Sequence, residues 1–169
     1  MITIRPEQPE DITAIHHVVK QAFERAEEAE LVDLLRRNGK ATLSLVADDN
    51  GRVVGHLLFS PVVIETGHGP LHGVGLAPLA VAPERQNEGI GSNLVRQGLL
   101  ECRRLGHPYA IVLGHPEYYP RFGFAAASQY GIKNTYNARD EAFMAIELMS
   151  DALLDAAGMA NYQPEFELV

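Results

Sequence analysis

Apolar and polar residues alternate along the chain with two different periods. From Pro9 to Phe23, apolar residues recur every three or four positions, and this spacing returns from Glu27 to Arg37 and from Gly89 to Leu105. Such a period is typical of a helix with one buried face. Gly39 and Gly106 follow the second and third of these segments, in the position where glycine often ends a helix. The pattern therefore predicts three amphipathic helices.

The intervening segments are rich in Val, Leu and Ile and predict strands. They are Ile2–Ile4, Thr42–Ala47, Arg52–Glu65, Leu71–Val81, Pro108–Leu113, Ala125–Ser128 and Phe143–Leu148. Turn residues at Asp48–Gly51 and Gly67–Pro70 join three of these strands as an antiparallel meander. Within the third strand of the meander, Gly75 and Pro78 mark a bulge or a sheet edge, because proline cannot donate to a ladder.

Together these elements predict a single α/β (α+β) domain over residues 1–169. We expect a mixed, mostly antiparallel sheet of about six or seven strands with helices on both faces, and a parallel crossover around the third helix. The core covers about residues 1–150. The tail, 151–169, either packs back or contacts a second chain, and the long connection Tyr130–Asp140 is a candidate cover for a site.

Composition narrows the functional class. The 169 residues suit one domain, and no apolar run approaches the roughly 18 to 20 residues that span a bilayer. The N-terminal residues do not resemble a secretory signal, and the only cysteine, Cys102, lies in an apolar helix stripe. We therefore expect a cytoplasmic protein. Its net charge of −8 disfavours nucleic acid as a partner and favours cationic ones, and we expect no membrane partner.

The segment between the third strand and the third helix has the properties of an anion site. The buried run ends at Pro83, which cannot donate to a sheet, and a helical pattern starts at Gly89-Ile90-Gly91. Backbone N–H groups at a helix start have no intrahelical partner, and the helix dipole there favours negative charge. Glycine at two positions lets a ligand approach the backbone. A phosphate or pyrophosphate fits such a loop.

Gln86-Asn87-Glu88-Gly89-Ile90-Gly91 resembles the pyrophosphate loop of the Gcn5-related N-acetyltransferase (GNAT) family, including the preceding Leu-Ala-Val-x-Pro-Glu. A dinucleotide-binding loop and a P-loop use similar glycines. Both fit worse, because the third glycine of the former and the Gly-Lys-Ser/Thr of the latter are missing. The resemblance extends in coarse pattern over most of residues 1–150, and it implies a sheet that is splayed into a V-shaped cleft between two neighbouring strands.

A second motif follows one helix and one strand later, at Gly114–Phe124. It resembles a segment of the same family that ends in a Gly-Phe pair. In that family, a tyrosine five positions before this phenylalanine protonates the departing thiolate, and Tyr119 occupies the same position here. The alternative for Tyr119 is a packing role only. The order and spacing of the two motifs favour the family.

The resemblance implies transfer of an acetyl group from acetyl-CoA, used as a co-substrate, to a primary amine. It implies that the pantetheine arm pairs with the backbone of a strand segment, that a loop binds the pyrophosphate, and that a backbone N–H near Val81 stabilises the oxyanion. The segment is Leu79, Ala80 and Val81, and the loop is Gln86, Asn87, Glu88, Gly89, Ile90, Gly91 and Ser92. Candidate bases are His72, His115 and Glu65. His68 and His72 lack a matching ligand cluster, so we expect no metal.

The acceptor stays open between small-molecule amines, peptides and proteins. In the resembling family the first two helices flank the acceptor site, and here they carry Glu24, Glu27, Glu28, Glu30 and Asp33, which either attract a cation or form a solvated face. An acyl-CoA-binding sensor without catalysis is the alternative function. A toxin that acetylates aminoacyl-tRNA is disfavoured by the negative charge. A homodimer is possible.

Overall fold

The computed structural model describes all residues, 1–169, and divides them into two compact units. The first unit comprises Met1–Ser60, Ala77–Gly98 and Pro164–Val169, and the second comprises Pro61–Leu76 and Leu99–Gln163. The helices are α1 (Ile12–Phe23), α2 (Glu27–Arg37) and α3 (Ile90–Arg104). The strands are β1 (Ile2–Pro6), β2 (Leu43–Asp49), β3 (Arg52–Thr66), β4 (Gly69–Val81), β5 (Tyr109–Leu113), β6 (Ala125–Ala126), β7 (Ile132–Lys133), β8 (Phe143–Glu147) and β9 (Gly158–Asn161).

In the first unit, β1, β2 and β3 form an antiparallel ladder. The predicted turn between β2 and β3 is present: Asn50 and Gly51 have φ of 52° and 96°, the left-handed backbone that a two-residue hairpin requires. The Asp48 carboxylate accepts a hydrogen bond from the Gly51 N–H at 2.7 Å, which closes the turn. Local turn chemistry therefore sets this register.

Helices cover both faces of the first unit's sheet. On one face, Val46 and Leu58 pack in a buried cluster with residues of α1 and α2. Successive strand residues point to opposite faces, so Leu57 and Phe59 face the other side, where Gly98 of α3 lies. A Cβ built on Gly98 would stand 2.7 Å from the Phe59 ring, so the helix approaches this closely because glycine is there. None of the three helices has the length and hydropathy that crossing a bilayer requires.

The second unit contains the predicted parallel pair. Val74–Leu76 of β4 pair in parallel with Ala110–Val112 of β5, and α3 is the connection between the two strands. β5 then pairs antiparallel with β8, which pairs with β6. The predicted class is confirmed: a mixed, mostly antiparallel sheet flanked by helices.

The structure has nine strands instead of the seven predicted, because β7 and β9 are additional, and the short strand β6 differs from its predicted boundaries. β6 keeps only two residues of the predicted strand Ala125–Ser128. β7 interrupts the connection that we predicted as a loop over Tyr130–Asp140. β9 lies in the tail and pairs antiparallel with residues Val63–Thr66 of β3. The tail therefore packs back, and strands this short carry no detectable period in the sequence.

The two residues predicted to interrupt β4 have distinct structural roles. The Ala77–Pro78 peptide bond is cis. At Gly75, an added Cβ would lie 2.3 Å from the ring of Tyr162, so the missing side chain leaves room for this tail residue on the strand. The space that Gly75 leaves on the strand is therefore filled by Tyr162, the residue that follows β9.

Candidate active site

The loop after β4, in the first unit, has an open and curved backbone. A 3-10 turn, Pro83–Arg85, follows the strand, and α3 begins at Ile90. Asn87 and Gly89 have φ of 66° and 84°, and a Cβ built on Gly89 would meet nothing within 4 Å. The backbone at Gly89 thus faces open space immediately before a 15-residue helix, where N–H groups and the helix dipole favour an anion.

Ion pairs brace this loop. The Arg85 guanidinium donates to Asp49 at 2.7 Å and to Glu88 at 3.1 Å, and these hydrogen bonds raise the pKa of Arg85. Arg52 donates to Glu84 at 2.7 Å. The two carboxylates of the loop are therefore each paired with an arginine, which reduces their repulsion of an anionic ligand.

At the end of β4, the hydrogen bonding of Ala82 shows which backbone groups point away from β3. The Ala82 N–H donates to the Val54 carbonyl at 2.9 Å, so this residue points towards β3. Backbone groups of successive residues point to opposite sides of an extended strand, and those of Leu79 and Val81 therefore point away from β3. Ala80 points towards β3, and its side chain is buried. Of the predicted pantetheine segment, the alternation favours Leu79 and Val81 as the pairing residues.

The side chain of Gln86 reaches back to this strand end. Its Nε2 donates to the Val81 carbonyl at 3.2 Å, which brings the first residue of the loop motif against the strand end. A ligand amide that pairs with the Val81 carbonyl competes with this bond. The Val81 N–H is not used by the Gln86 contact and remains directed to the same side as the carbonyl.

In the second unit, Tyr119 begins a 3-10 turn, Tyr119–Phe122, after β5. The His115 carbonyl accepts from the N–H groups of Tyr118 and Tyr119 at 3.1 and 3.3 Å. The Tyr119 ring makes edge-on contacts with Tyr118 and Phe124, with centroids 5.1 and 5.7 Å apart. An aromatic cluster thus holds the phenol in one orientation.

The environment of Tyr119 decides its protonation state. The side chain is 7% exposed, and burial, with a smaller effect from Tyr118, raises its pKa to about 12. The hydroxyl therefore keeps its proton at neutral pH. Such a group can donate a proton or a hydrogen bond but cannot act as a base in its resting form.

The predicted bases lie at the surface. His72 is exposed near the start of β4, Glu65 is exposed near the end of β3, and the His115 imidazole is exposed while its carbonyl supports the turn that holds Tyr119. The structure does not bring any of these side chains into a hydrogen bond with Tyr119. No group of three His, Cys, Asp or Glu side chains that could hold a metal ion is found.

A chain of polar side chains that ends at the buried His56, in the first unit, escaped the sequence analysis. Glu7 accepts from Arg36 Nε at 2.6 Å and from the Ser44 hydroxyl, and Ser44 Oγ lies 2.8 Å from His56 Nε2. Since the one hydroxyl hydrogen goes to Glu7, the hydrogen on His56 belongs to Nε2, which donates to Ser44. The only signal in the sequence was one histidine within the apolar run Val53–Phe59.

His56 is completely buried, and its Nδ1 has no hydrogen-bond partner in the chain. Burial lowers its pKa to about 4, since the effect of Glu7, which raises it, is smaller. For Glu7, burial raises the pKa but hydrogen bonds from Arg36 and Ser44 outweigh this, so the net pKa is lowered. The resting state is a neutral imidazole beside a carboxylate. Glu7, Arg36 and Ser44 also line an open groove of about 400 Å³.

The acidic face of α1 and α2 is partly neutralised within the chain. Glu28 is buried and paired with Arg25, and Asp33 accepts from His16 Nδ1 at 2.7 Å and from Arg36 at 3.0 Å. These carboxylates therefore have structural partners. The interpretation as an attractive surface for a cation is correspondingly weaker for these two positions.

Comparisons with known proteins agree on one family. The model of the acetyltransferase (GNAT) domain matches residues 3–127. The uncharacterised N-acetyltransferase YhbS of Escherichia coli K12 is 37% identical over 164 residues, which cover 96% of this chain and 97% of that protein. The crystal structure of E. coli YhbS in complex with CoA superposes with a TM-score of 0.91 at 36% identity, covering 98% of this chain and 92% of that one. A GNAT family acetyltransferase from Brucella melitensis in complex with acetyl-CoA gives a TM-score of 0.81 at 36% identity, with 98% of each chain covered.

Proposed function

The chain belongs to the GNAT acetyltransferase family, and we propose that it moves the acetyl group of acetyl-CoA to a primary amine by direct attack of the amine on the thioester. The observation that carries the proposal is the loop at the start of α3, where the backbone at Gly89 is left-handed and faces open space. The CoA and acetyl-CoA complexes of the two similar structures support it.

In this proposal the pyrophosphate of acetyl-CoA binds the backbone amides over Gln86–Ser92. Each charge-assisted hydrogen bond there contributes on the order of 1.5–3 kcal/mol. The pairing of Glu84 and Glu88 with arginines reduces the repulsion between these carboxylates and the pyrophosphate. The pantetheine arm adds to β4 as a short strand at Leu79 and Val81, whose backbone groups point away from β3.

The thioester oxygen becomes negative when the amine attacks. We assign its stabilisation to the Val81 N–H, because a backbone donor fixed by a strand does not need to reorganise during the reaction. The Val81 carbonyl accepts a hydrogen bond from Gln86, and the next residue, Ala82, donates to the Val54 carbonyl, so two hydrogen bonds fix the end of the strand.

The CoA thiolate leaves when the tetrahedral state collapses, and the Tyr119 hydroxyl gives it a proton. A phenol with a pKa of about 12 is a weak acid for an aqueous thiolate, whose pKa is about 8.5. Desolvation in a closed site disfavours the anionic thiolate and raises its pKa, which makes proton transfer from Tyr119 less unfavourable than it would be in water.

The amine must lose a proton before attack. An alkyl ammonium with a pKa of about 10.4 is neutral in only about one molecule in 2,500 at pH 7, which corresponds to roughly 4–5 kcal/mol. We propose that His72 or His115 takes this proton through water, because both imidazoles reach solvent.

The coenzyme site is tested by calorimetric titration with acetyl-CoA of the wild type, Gly89→Glu and Gly39→Glu. Gly39 is the matched control, because it also has a positive φ, 71°, and nothing within 4 Å of an added Cβ. We expect Gly89→Glu to lose at least tenfold in affinity, the value of about one charge-assisted hydrogen bond, and Gly39→Glu to bind normally. A folded wild type that does not bind acetyl-CoA would refute the proposal, and binding without transfer to any amine would favour a sensor.

A further inference from the structure

Two ion pairs join the β2–β3 hairpin to the loop that follows β4, within the first unit. Arg85 of the loop donates to Asp49 of the hairpin at 2.7 Å, and Arg52 of the hairpin donates to Glu84 of the loop at 2.7 Å. Each side therefore contributes one arginine and one carboxylate. The loop motif starts at Gln86, one residue after Arg85, so the hairpin is attached directly to the start of the coenzyme motif.

The two ion pairs differ in their exposure to solvent. The side chains of Arg85 and Asp49 are 24% and 26% exposed, whereas those of Arg52 and Glu84 are 68% and 50% exposed. Water screens an exposed ion pair, and ordering its two long side chains costs entropy, so such a pair contributes little. The pair of Asp49 and Arg85 is screened less. It is therefore the contact that is able to fix the loop to the hairpin.

The hairpin directs its two adjacent carboxylates to different partners. The register between β2 and β3 shifts just before Asp48, and consecutive residues of a strand point to opposite faces. Asp48 closes the hairpin turn, so this task is not left to Asp49. The shortest contact of Asp49 is the bond from Arg85, because its contacts with the Asn50 side chain and the Met1 amino group measure 3.3 and 3.4 Å.

Arg85 carries the connection into the curved part of the loop. While its NH1 group donates to Asp49, its Nε group lies 3.1 and 3.3 Å from the two carboxylate oxygens of Glu88. Glu88 lies between Asn87 and Gly89, the two residues of the loop with a left-handed backbone. A restraint on the Glu88 side chain therefore acts on the segment whose curvature exposes the backbone N–H groups. It also fixes the position of a negative charge beside the anion site.

We propose that Asp49 is a positioning residue for the coenzyme, which holds Arg85 and through it keeps the loop Gln86–Ser92 in the curvature that binds the pyrophosphate. This inference rests on the proposed function, because it takes that loop as the pyrophosphate site. Without the carboxylate of Asp49, Arg85 loses its anchor on the hairpin. The loop then has to be ordered when the coenzyme binds, and this ordering lowers the affinity.

The charge of Asp49 allows a test by the sign of the effect. A carboxylate close to a pyrophosphate repels it, so the neutral variant Asp49→Asn would bind acetyl-CoA more tightly if charge alone decided the affinity. If Asp49 acts by positioning Arg85, the same substitution weakens binding. The two explanations therefore predict changes in opposite directions.

The experiment is calorimetric titration with acetyl-CoA of the wild type, Asp49→Asn, Arg85→Met and the double variant. We expect Asp49→Asn to raise Kd by about threefold to tenfold in the wild-type background, and by less than about twofold in the Arg85→Met background, where its partner is missing. Asp49→Glu keeps the carboxylate and should bind more tightly than Asp49→Asn. Glu84→Gln is the matched control, because it removes a carboxylate from the exposed ion pair and should not weaken binding.

The remaining outcomes separate this inference from the proposed function. Unchanged or tighter binding by Asp49→Asn would overturn the inference and leave the proposed function intact. An equal loss in the Arg85→Met background would also overturn it, since Asp49 would then not act through Arg85, and so would an equal loss in Glu84→Gln. A folded wild type that does not bind acetyl-CoA would overturn both. Thermal unfolding of each variant checks that the fold is retained.

Discussion

His56 makes the stability of the protein depend on pH in a defined window. It is fully buried and neutral, and its pKa in the folded state is about 4, whereas the value in an unfolded chain is about 6.5. Below pH 6.5 the unfolded chain takes up a proton that the folded chain refuses. Protonation therefore favours unfolding, and the stability that is present in full above pH 6.5 falls as the pH decreases towards 4.

The size of the effect follows from the two pKa values. A difference of about 2.5 units corresponds to about 3 kcal/mol over the whole window, or at most about 1.4 kcal/mol per pH unit within it. Glu7 and Arg36 are the charged groups that influence His56, and they act in opposite directions. The lowered pKa of Glu7 places its own contribution below pH 4.5, outside the range from 5 to 7.

The measurement is urea unfolding at pH 7.0, 6.0 and 5.0 for the wild type, His56→Gln and His68→Gln. His56→Gln keeps a donor for Ser44 but has no group that titrates in this range. We expect the free energy of unfolding to fall less steeply with decreasing pH in His56→Gln than in the wild type, by about 1 kcal/mol per pH unit between 6 and 5. His68 is exposed in the turn before β4, so His68→Gln should keep the wild-type slope. Equal slopes for the wild type and His56→Gln would refute the reasoning.

Two further predictions concern the proposed proton donor, Tyr119, and the packing of α3 at Gly98. Tyr119→Phe should bind acetyl-CoA normally and lose about 10²-fold or more in kcat, because the substitution removes only the proton donor. Tyr118→Phe is the control. Unchanged turnover in Tyr119→Phe would remove this residue from the mechanism. Gly98→Val should lower the free energy of unfolding, measured in urea, by about 1–3 kcal/mol, because the new side chain enters the space of the Phe59 ring. Gly67→Ala should leave the stability unchanged, because a Cβ at Gly67 meets nothing within 4 Å. A Gly98→Val variant as stable as the wild type would contradict the close approach of α3.

Local signals predicted most of the regular elements. The structure bounds α2 at Glu27–Arg37, as the apolar period does, and the turn at Asn50-Gly51 lies where the residue types place it. The loop motif that starts at Gln86 follows a strand and ends in the first turn of α3, at Ile90 and Gly91. These features depend on residues a few positions apart, so their physical cause is contained in a short window of sequence.

The features that only the tertiary structure decided depend on contacts between residues far apart in the chain. The Tyr162 ring occupies the space at Gly75. Glu165 fixes the end of the tail to the segment after α2, because its carboxylate accepts hydrogen bonds from Lys40 and Asn38, which lower its pKa to about 2. The burial of His56 beside Ser44 likewise depends on the pairing of β2 with β3. Strands of two to four residues have no measurable period, and the environment of a polar side chain is set by the elements packed around it. For this reason the sequence determined the helices, the hairpin and the family motifs, whereas the fold decided which side chains are buried, which pKa values shift and where the tail lies.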